Sequence, residues 1–476
     1  MLRRLLPVLL LLLTASNLFA AKITIVNLDG PNVGFNDPAP ASPVGGNPAT
    51  TVGGQRLYVI QRAADIWGSR LYSEVEIRIS SRFAGIAGEC SETSAVLAFA
   101  GSQSYIANFA GAPQANVRYP IALANKFAGT DLRPNDVDIT SQFNADVDNA
   151  TCLGESNWYY GLDGNEDGNQ DLLATALHEF AHGLGMAGSA DLLTGALPSN
   201  QPSVYTINVY DNEMGLFWNQ MSNQQRVQSA VNTGQVVWAG QFTRAGAKNF
   251  LQPLPLLTTT GTIARDFDIG TASFGANVQT TSVSGRIIAA VDEANEAGPT
   301  TTDGCSPYQN AAEVNGKWAL VDRGTCQFIE KAFIAQQAGA IGMILADNRR
   351  ETCYPPGMGI ADPPIDPALI TIPVISVSQD DGAALRANTA DTLGILHVDP
   401  TRLAGADAEG RPRLYAPCTL ESGSSIHHWD ITASPNLLME PSINPDLDHN
   451  LDISTQQLHD IGWGIQPSTG RRVTRR

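Results

Sequence analysis

The chain has 476 residues, too many for one ordinary domain, and 43% of them are hydrophobic, enough to build sizeable cores. With 29 Lys and Arg against 47 Asp and Glu, the formal charge is −18. That balance argues against nucleic acid or an anionic membrane as partner.

Residues 1–21 have the layout of a secretory signal: Arg3 and Arg4, an apolar run from Leu5 to Leu13, then Ala20 and Ala21 near a cleavage point. The run is too short to span a bilayer, and no other stretch reads as a membrane span. The mature chain is therefore expected to be soluble and exported, either secreted or periplasmic. Six cysteines (Cys90, Cys152, Cys305, Cys326, Cys353 and Cys418) make an even set in an exported chain, so disulfides are expected. Their order favours Cys90–Cys152 and leaves the other four open. No C-x-x-C pair is present to suggest a structural zinc.

A strand-like KITIVNL opens at Lys22 and runs into a Gly/Pro/Asn-rich loop. Leu57, Ile60, Ala63, Ala64 and Trp67 then recur at helical spacing, predicting a helix over Gln55–Leu71. SEVEIRIS, Ser73–Ser80, alternates polar and apolar and reads as a strand with one face buried. These elements predict an α+β domain whose sheet backs the next helix.

That helix carries the chemistry. Gln170–Gly188 reads QDLLATALHEFAHGLGMAG, with His178, Glu179 and His182 in the pattern H-E-x-x-H. Residues four apart lie one above the other on a helix, so both imidazoles can reach one metal ion. Neutral imidazole binds zinc at about 2.0–2.1 Å, and a zinc-bound water has a pKa near 7. Glu179 can take that water's proton. Asp171 is placed to cap the helix N-terminus, and Gly183 and Gly185 to stop it. Catalytic zinc usually has three protein ligands, so a third must come from elsewhere.

Asp163, Asn165, Asp167 and Gly168 read like the first half of a calcium loop, but Ala174 stands where the twelfth-position Glu belongs. A polar turn feeding the helix is the simpler reading. Asp446, Asp448, Asn450 and Asp452 form a similar ladder with the same two readings, so calcium is a secondary cofactor expectation beside zinc. Asn208–Gly240, with Trp218, Met221 and Trp238, reads as packing. From Pro253 the texture changes. WALV, a tight turn at Asp322–Gly324, a helix over Gln327–Ala338 and IGMILA make a β-α-β unit. IPVISV (Ile372–Val377) adds a strand and QDDGAALRA a helix, so a separate α/β-containing domain is expected here. The terminal RRVTRR reads as a solvated tail.

HEFAHGLGM resembles the opening of the metzincin zinc-protease motif, H-E-x-x-H-x-x-G-x-x-H, through Gly185, and departs where Gly188 replaces the third histidine. Leishmanolysin-like metzincins depart in the same way and take that histidine from a distant segment shortly before a Met-turn. Here Ser425-Ile-His427-His428-Trp429-Asp430, followed by Leu438-Met439-Glu440-Pro441, resembles that segment. ALVDRGTCQF and KAFIAQQAGAIG resemble the core of a protease-associated (PA) domain.

The resemblance implies an α+β metzincin-like catalytic domain, a mixed sheet with a zinc-binding helix, interrupted by a PA domain. Its parts would be residues 22–253, a PA-like insert at 254–400, and a return at 401–476. The implied function is an exported zinc metalloendopeptidase acting on protein or peptide substrates. His178, His182 and His428 would hold zinc, Glu179 would be the general base, and Met439 would lie beneath the metal. Asp191 and His427 are the other candidates for third ligand. His427 and His428 are adjacent, so in an extended segment only one can face the metal. The family-like spacing to Met439 favours His428. The competing readings are a non-catalytic secreted protein that uses the PA block for protein or glycan contacts, and a zinc hydrolase acting on a non-peptide amide.

Overall fold

The computed structural model describes residues 20–466, apart from 155, 350–352, 360–362 and 445–446. Most of the signal-like segment, Asp446 and the RRVTRR tail lie outside the described residues.

One body is organised on a four-stranded mixed sheet in the order Ile23–Asn27, Ile77–Ala84, Ile139–Asn144, Ala98–Ser102. The first three strands are parallel and Ala98–Ser102 is antiparallel at the edge. Ile77, Ile79 and Phe83 alternate onto a buried face, as a strand's period of two dictates. The strand starts at Ile77 rather than at Ser73, because the Val75 N–H donates to Ser73 Oγ and turns the chain first. Two helices, Val52–Arg70 and Leu172–Leu184, pack against this sheet and against each other, so both lie on one face. Trp67, fully buried, donates its indole N–H to the Leu177 carbonyl at 2.9 Å and locks the two together.

Asp171 is the N-cap of the second helix. Its Oδ1 accepts from the N–H groups of Leu173 (2.8 Å) and Ala174 (3.0 Å), and its Oδ2 accepts from His449 Nε2 at 2.6 Å. The helix does not stop at Gly183. There a Cβ would fall 2.3 Å from Ile139 Cγ2, so the residue lets helix and sheet approach closely. Gly185, at φ 124°, ends the helix, and the Trp463 indole donates to the Leu184 carbonyl at 2.9 Å.

A second body spans Pro253 to Leu403 and holds an eight-stranded sheet. The chain enters along Pro253–Thr260 and leaves along Leu393–Leu403, which pair antiparallel. Val283–Ala289, antiparallel to Leu393–Leu403, starts a run of mutually parallel strands that continues with Trp318–Asp322, Gly342–Ala346 and Val374–Val377. Alternate residues serve opposite faces: Ala319, Val321, Met343 and Leu345 pack with the helix Phe328–Gln337, and Leu320, Ile344 and Val377 pack with Leu385 of Gln379–Ala387.

Beyond Leu403 the chain returns to the first body. Trp218, Trp238, Trp429 and Trp463 join its core with Met439. The disulfides are Cys90–Cys152, Cys305–Cys326 and Cys353–Cys418. The last ties the second body to the returning chain, so that body is not linked to the first by its strand stem alone. No described helix is long and apolar enough to cross a membrane.

Removing the Asp171 carboxylate strips two N–H groups of their cap and His449 of its partner. Asp171→Ala is expected to lower unfolding free energy by about 1–2 kcal/mol, read as a lower urea midpoint at unchanged slope. An unchanged midpoint would show that water caps this helix equally well.

Candidate metal centre

His178 and His182 project from the helix Leu172–Leu184, while His428 comes from a segment some 250 residues later. Their Nε2 atoms form a triangle with each side 3.1 Å. Among the described residues they are the one group of three or more His, Cys, Asp or Glu side chains close enough to share an ion.

The other ring nitrogens decide what this triangle is. His178 Nδ1 lies 2.8 Å from the Leu438 carbonyl, His182 Nδ1 3.0 Å from the Met186 carbonyl, and His428 Nδ1 2.7 Å from the Ser424 carbonyl. A carbonyl only accepts, so each Nδ1 carries the proton and donates it. Every Nε2 then presents a lone pair, and three lone pairs converge with no hydrogen between them. A divalent cation resolves that repulsion. Around a tetrahedral ion with Zn–N of about 2.0–2.1 Å, nitrogens stand about 3.3 Å apart, close to the spacing here. The residues fit zinc. A main-chain carbonyl on the second imidazole nitrogen is also the usual device for orienting metal-bound histidine.

Burial favours the neutral rings this requires. It pushes His178 down to about 3, with His182 beside it adding to the effect, and His182 down to about 4. His428 is held well below the usual imidazole range by the same burial and by its two neighbours. Glu179 is buried next to His178, and its carboxyl is pushed up to about 8 by burial, while a hydrogen bond from the Ala100 N–H pulls the other way. Ala100 lies on the antiparallel edge strand, so the strand Ala98–Ser102 runs alongside the carboxylate.

His428 sits on a tight return. Tyr415 N–H donates to the His428 carbonyl (2.9 Å), Ile426 N–H to the Tyr415 carbonyl (2.7 Å) and Asp430 N–H to the Arg413 carbonyl (3.0 Å). Ile426 is held at φ 70°, in the left-handed region where a β-branched residue is strained by about 1–3 kcal/mol. Tyr205 steadies it by donating its hydroxyl to the Ile426 carbonyl at 2.6 Å.

His427 faces elsewhere. Its ring meets Tyr205 edge-on at 6.0 Å, and its Nε2 lies 3.3 Å from where a Cβ on Gly188 would stand. Asp191 is exposed and caps a turn, accepting from the Leu193 (2.9 Å) and Thr194 (3.1 Å) N–H groups, outside the histidine cluster. Met439 is fully buried directly after Leu438, and its carbonyl accepts from the Trp429 N–H at 2.7 Å. Asp452 anchors the same turn, accepting from the Leu438 N–H at 2.5 Å and from Ser454. Nothing in the sequence pattern marked Tyr205 or the Leu438 carbonyl, which act across the fold; the Met186 and Ser424 carbonyls lie four residues from their own histidines, and Asp452, read as part of an acidic ladder, serves the Leu438 N–H instead.

The two acidic loops gather no comparable cluster of described residues. Asp163 accepts from Tyr159 Oη and the Asn165 N–H, and Asp171 is committed to the cap and His449. Asp448, Asn450 and Asp452 each accept an N–H two residues on, which are turn bonds.

Two family models match parts of the chain. A PA-domain model matches residues 278–385, so the second body carries a PA domain. A model described as SPBPB7E8-like matches residues 49–210, which include His178, Glu179 and His182. Among curated proteins, a probable lipoprotein aminopeptidase LpqL of Mycobacterium tuberculosis is 37% identical over 90 residues, 19% of this chain and 17% of that protein. A C5a peptidase of Streptococcus pyogenes serotype M3 is 33% identical over 125 residues, 26% of this chain and 9% of that protein. The human ER degradation-enhancing alpha-mannosidase-like protein 3 is 51% identical over 47 residues, 10% of this chain and 5% of that protein. The chain thus spans less than a fifth of the length of each of these relatives. Among solved structures, a zinc aminopeptidase from Bacillus subtilis aligns over 38% of each chain at 19% identity with a TM-score of 0.23, too little shared geometry to assign a fold.

Proposed function

We propose that the chain is an exported zinc-dependent peptidase, and more specifically an endopeptidase of the leishmanolysin-like metzincin type. The observation that carries the reading is the triangle of three Nε2 lone pairs with the Glu179 carboxyl on the same helix. His178, His182 and His428 would hold the metal, and Met439 would lie in the turn beneath it. A PA domain at 278–385 and partial likenesses to a probable aminopeptidase and a C5a peptidase lean the same way.

Zinc in this site would acidify a water to a pKa near 7 and polarise a scissile carbonyl. Glu179 takes the proton as the water oxygen bonds to the carbonyl carbon, then delivers it to the leaving amine as the C–N bond breaks. The Ala100 N–H holds that carboxyl in place. The three backbone carbonyls keep the rings in one tautomer and orientation. The edge strand Ala98–Ser102, open on the side away from Ile139–Asn144, offers an extended peptide main-chain partners beside Glu179.

Two experiments test this. Glu179→Gln is expected to keep stoichiometric zinc and lose about a thousandfold in hydrolysis of casein and of N-terminally blocked peptides. Retention of more than a tenth of the activity would remove Glu179 as base. Cleavage only of peptides with a free amino terminus would replace the endopeptidase reading with an aminopeptidase. For the third ligand, His428→Ala is expected to weaken zinc binding by more than about a hundredfold, beyond the range of outer-shell changes, and His427→Ala by less than about tenfold. Chelator competition measures both, and the reverse order would move the ligand to His427.

A further inference from the structure

Three contacts from the second body converge on one short segment of the first. Cys353 is disulfide-bonded to Cys418. Tyr354 donates its hydroxyl to Asp430 Oδ2 at 2.6 Å, and the Tyr354 Oη itself accepts from the Ala416 N–H at 3.3 Å. Asp268 Oδ2 lies 3.4 Å from Arg413 Nη1. All three partners belong to the return Arg413–Asp430, whose two arms hydrogen-bond to each other around His428.

Tyr354 is the central member. It is 4% exposed, and its ring stacks on Tyr415 with centroids 5.7 Å apart and planes 13° from parallel. Its hydroxyl bridges the two arms: Ala416 follows the residue that donates to the His428 carbonyl, and Asp430 lies two residues beyond His428. Asp430 uses its other oxygen for Thr432 N–H and Oγ1, so its bond to the second body is the one to the phenol. The strained Ile426 lies within the segment so clamped.

We propose that Tyr354, in the PA domain, is a positioning residue for the third metal ligand: with the Cys353–Cys418 bond it clamps the Arg413–Asp430 return and sets where His428 Nε2 stands. The PA domain is thus part of the metal site's support and not only a module appended to it. This rests on the zinc reading, and the test separates the two.

The variant is Tyr354→Phe in the full chain, which keeps the stacked ring and removes only the bridging hydroxyl. Two quantities are read. Zinc affinity, from chelator competition, is expected to fall about tenfold, in the range that outer-shell changes produce. In metal-free protein, amide exchange at Tyr415, Ile426 and Asp430 is expected to accelerate about tenfold while exchange in the sheet around Ile79 and Ile139 stays unchanged. The control is Tyr308→Phe, a buried phenol of the same body that packs in the PA core, expected to leave both quantities at wild-type values. Wild-type zinc affinity and exchange in Tyr354→Phe, or an equal loss in Tyr308→Phe, would overturn the proposal. A wild-type chain that takes up no stoichiometric zinc would instead defeat the zinc reading, with the exchange arm still deciding whether Tyr354 clamps the return.

Discussion

Each of the three central imidazoles gives its Nδ1 proton to a main-chain carbonyl, and that shared bond forces three Nε2 lone pairs to face one another across 3.1 Å. The carbonyls belong to Leu438, Met186 and Ser424, so three separate pieces of backbone must be placed to within a hydrogen bond. Gly185 turns the chain at the end of the helix to present Met186. Asp452 holds the Leu438 N–H, which fixes the carbonyl that meets His178. The return through Ser424 carries both the third acceptor and the third ring. Much of the first body can be understood as the support for these three positions.

That support has costs and compensations. Ile426 in the left-handed region costs about 1–3 kcal/mol, and converging lone pairs oppose the fold until a cation is present. Against this stand the fully buried Trp67 and Trp463, each worth more than the ~1.5–3 kcal/mol of a smaller apolar side chain. Trp67 and Trp463 are also hydrogen-bonded to helix carbonyls, so burying their indole N–H groups leaves no unmet donor. Metal binding and the stability of the return should therefore be coupled.

How much of this was legible in the sequence follows from the range of each interaction. The helix around His178 was readable because its cap, its apolar face and its glycine stop are local signals, although Gly183 proved to be a packing glycine. The alternating pattern ending in EIRIS announced a strand, but the Ser73–Val75 turn moved its start to Ile77. Cys90–Cys152 followed from order along the chain, whereas Cys353–Cys418 joins two bodies and has no local trace. His428 was nameable only through family-like spacing to Met439. Tyr354 and Tyr205 carry no pattern at all, because each meets its partner across 76 or 221 residues of chain, and the ladder that holds Asp452 gave no sign of its bond to the Leu438 N–H.

The central claim is that one zinc ion is held by three imidazoles from two distant segments. X-ray absorption on protein loaded with one equivalent of zinc tests it most directly. The account predicts one inner shell at about 2.0–2.1 Å that contains three imidazole nitrogens, with only light oxygen scatterers besides. A sulfur shell, two imidazoles, or failure to retain one zinc per chain would contradict it.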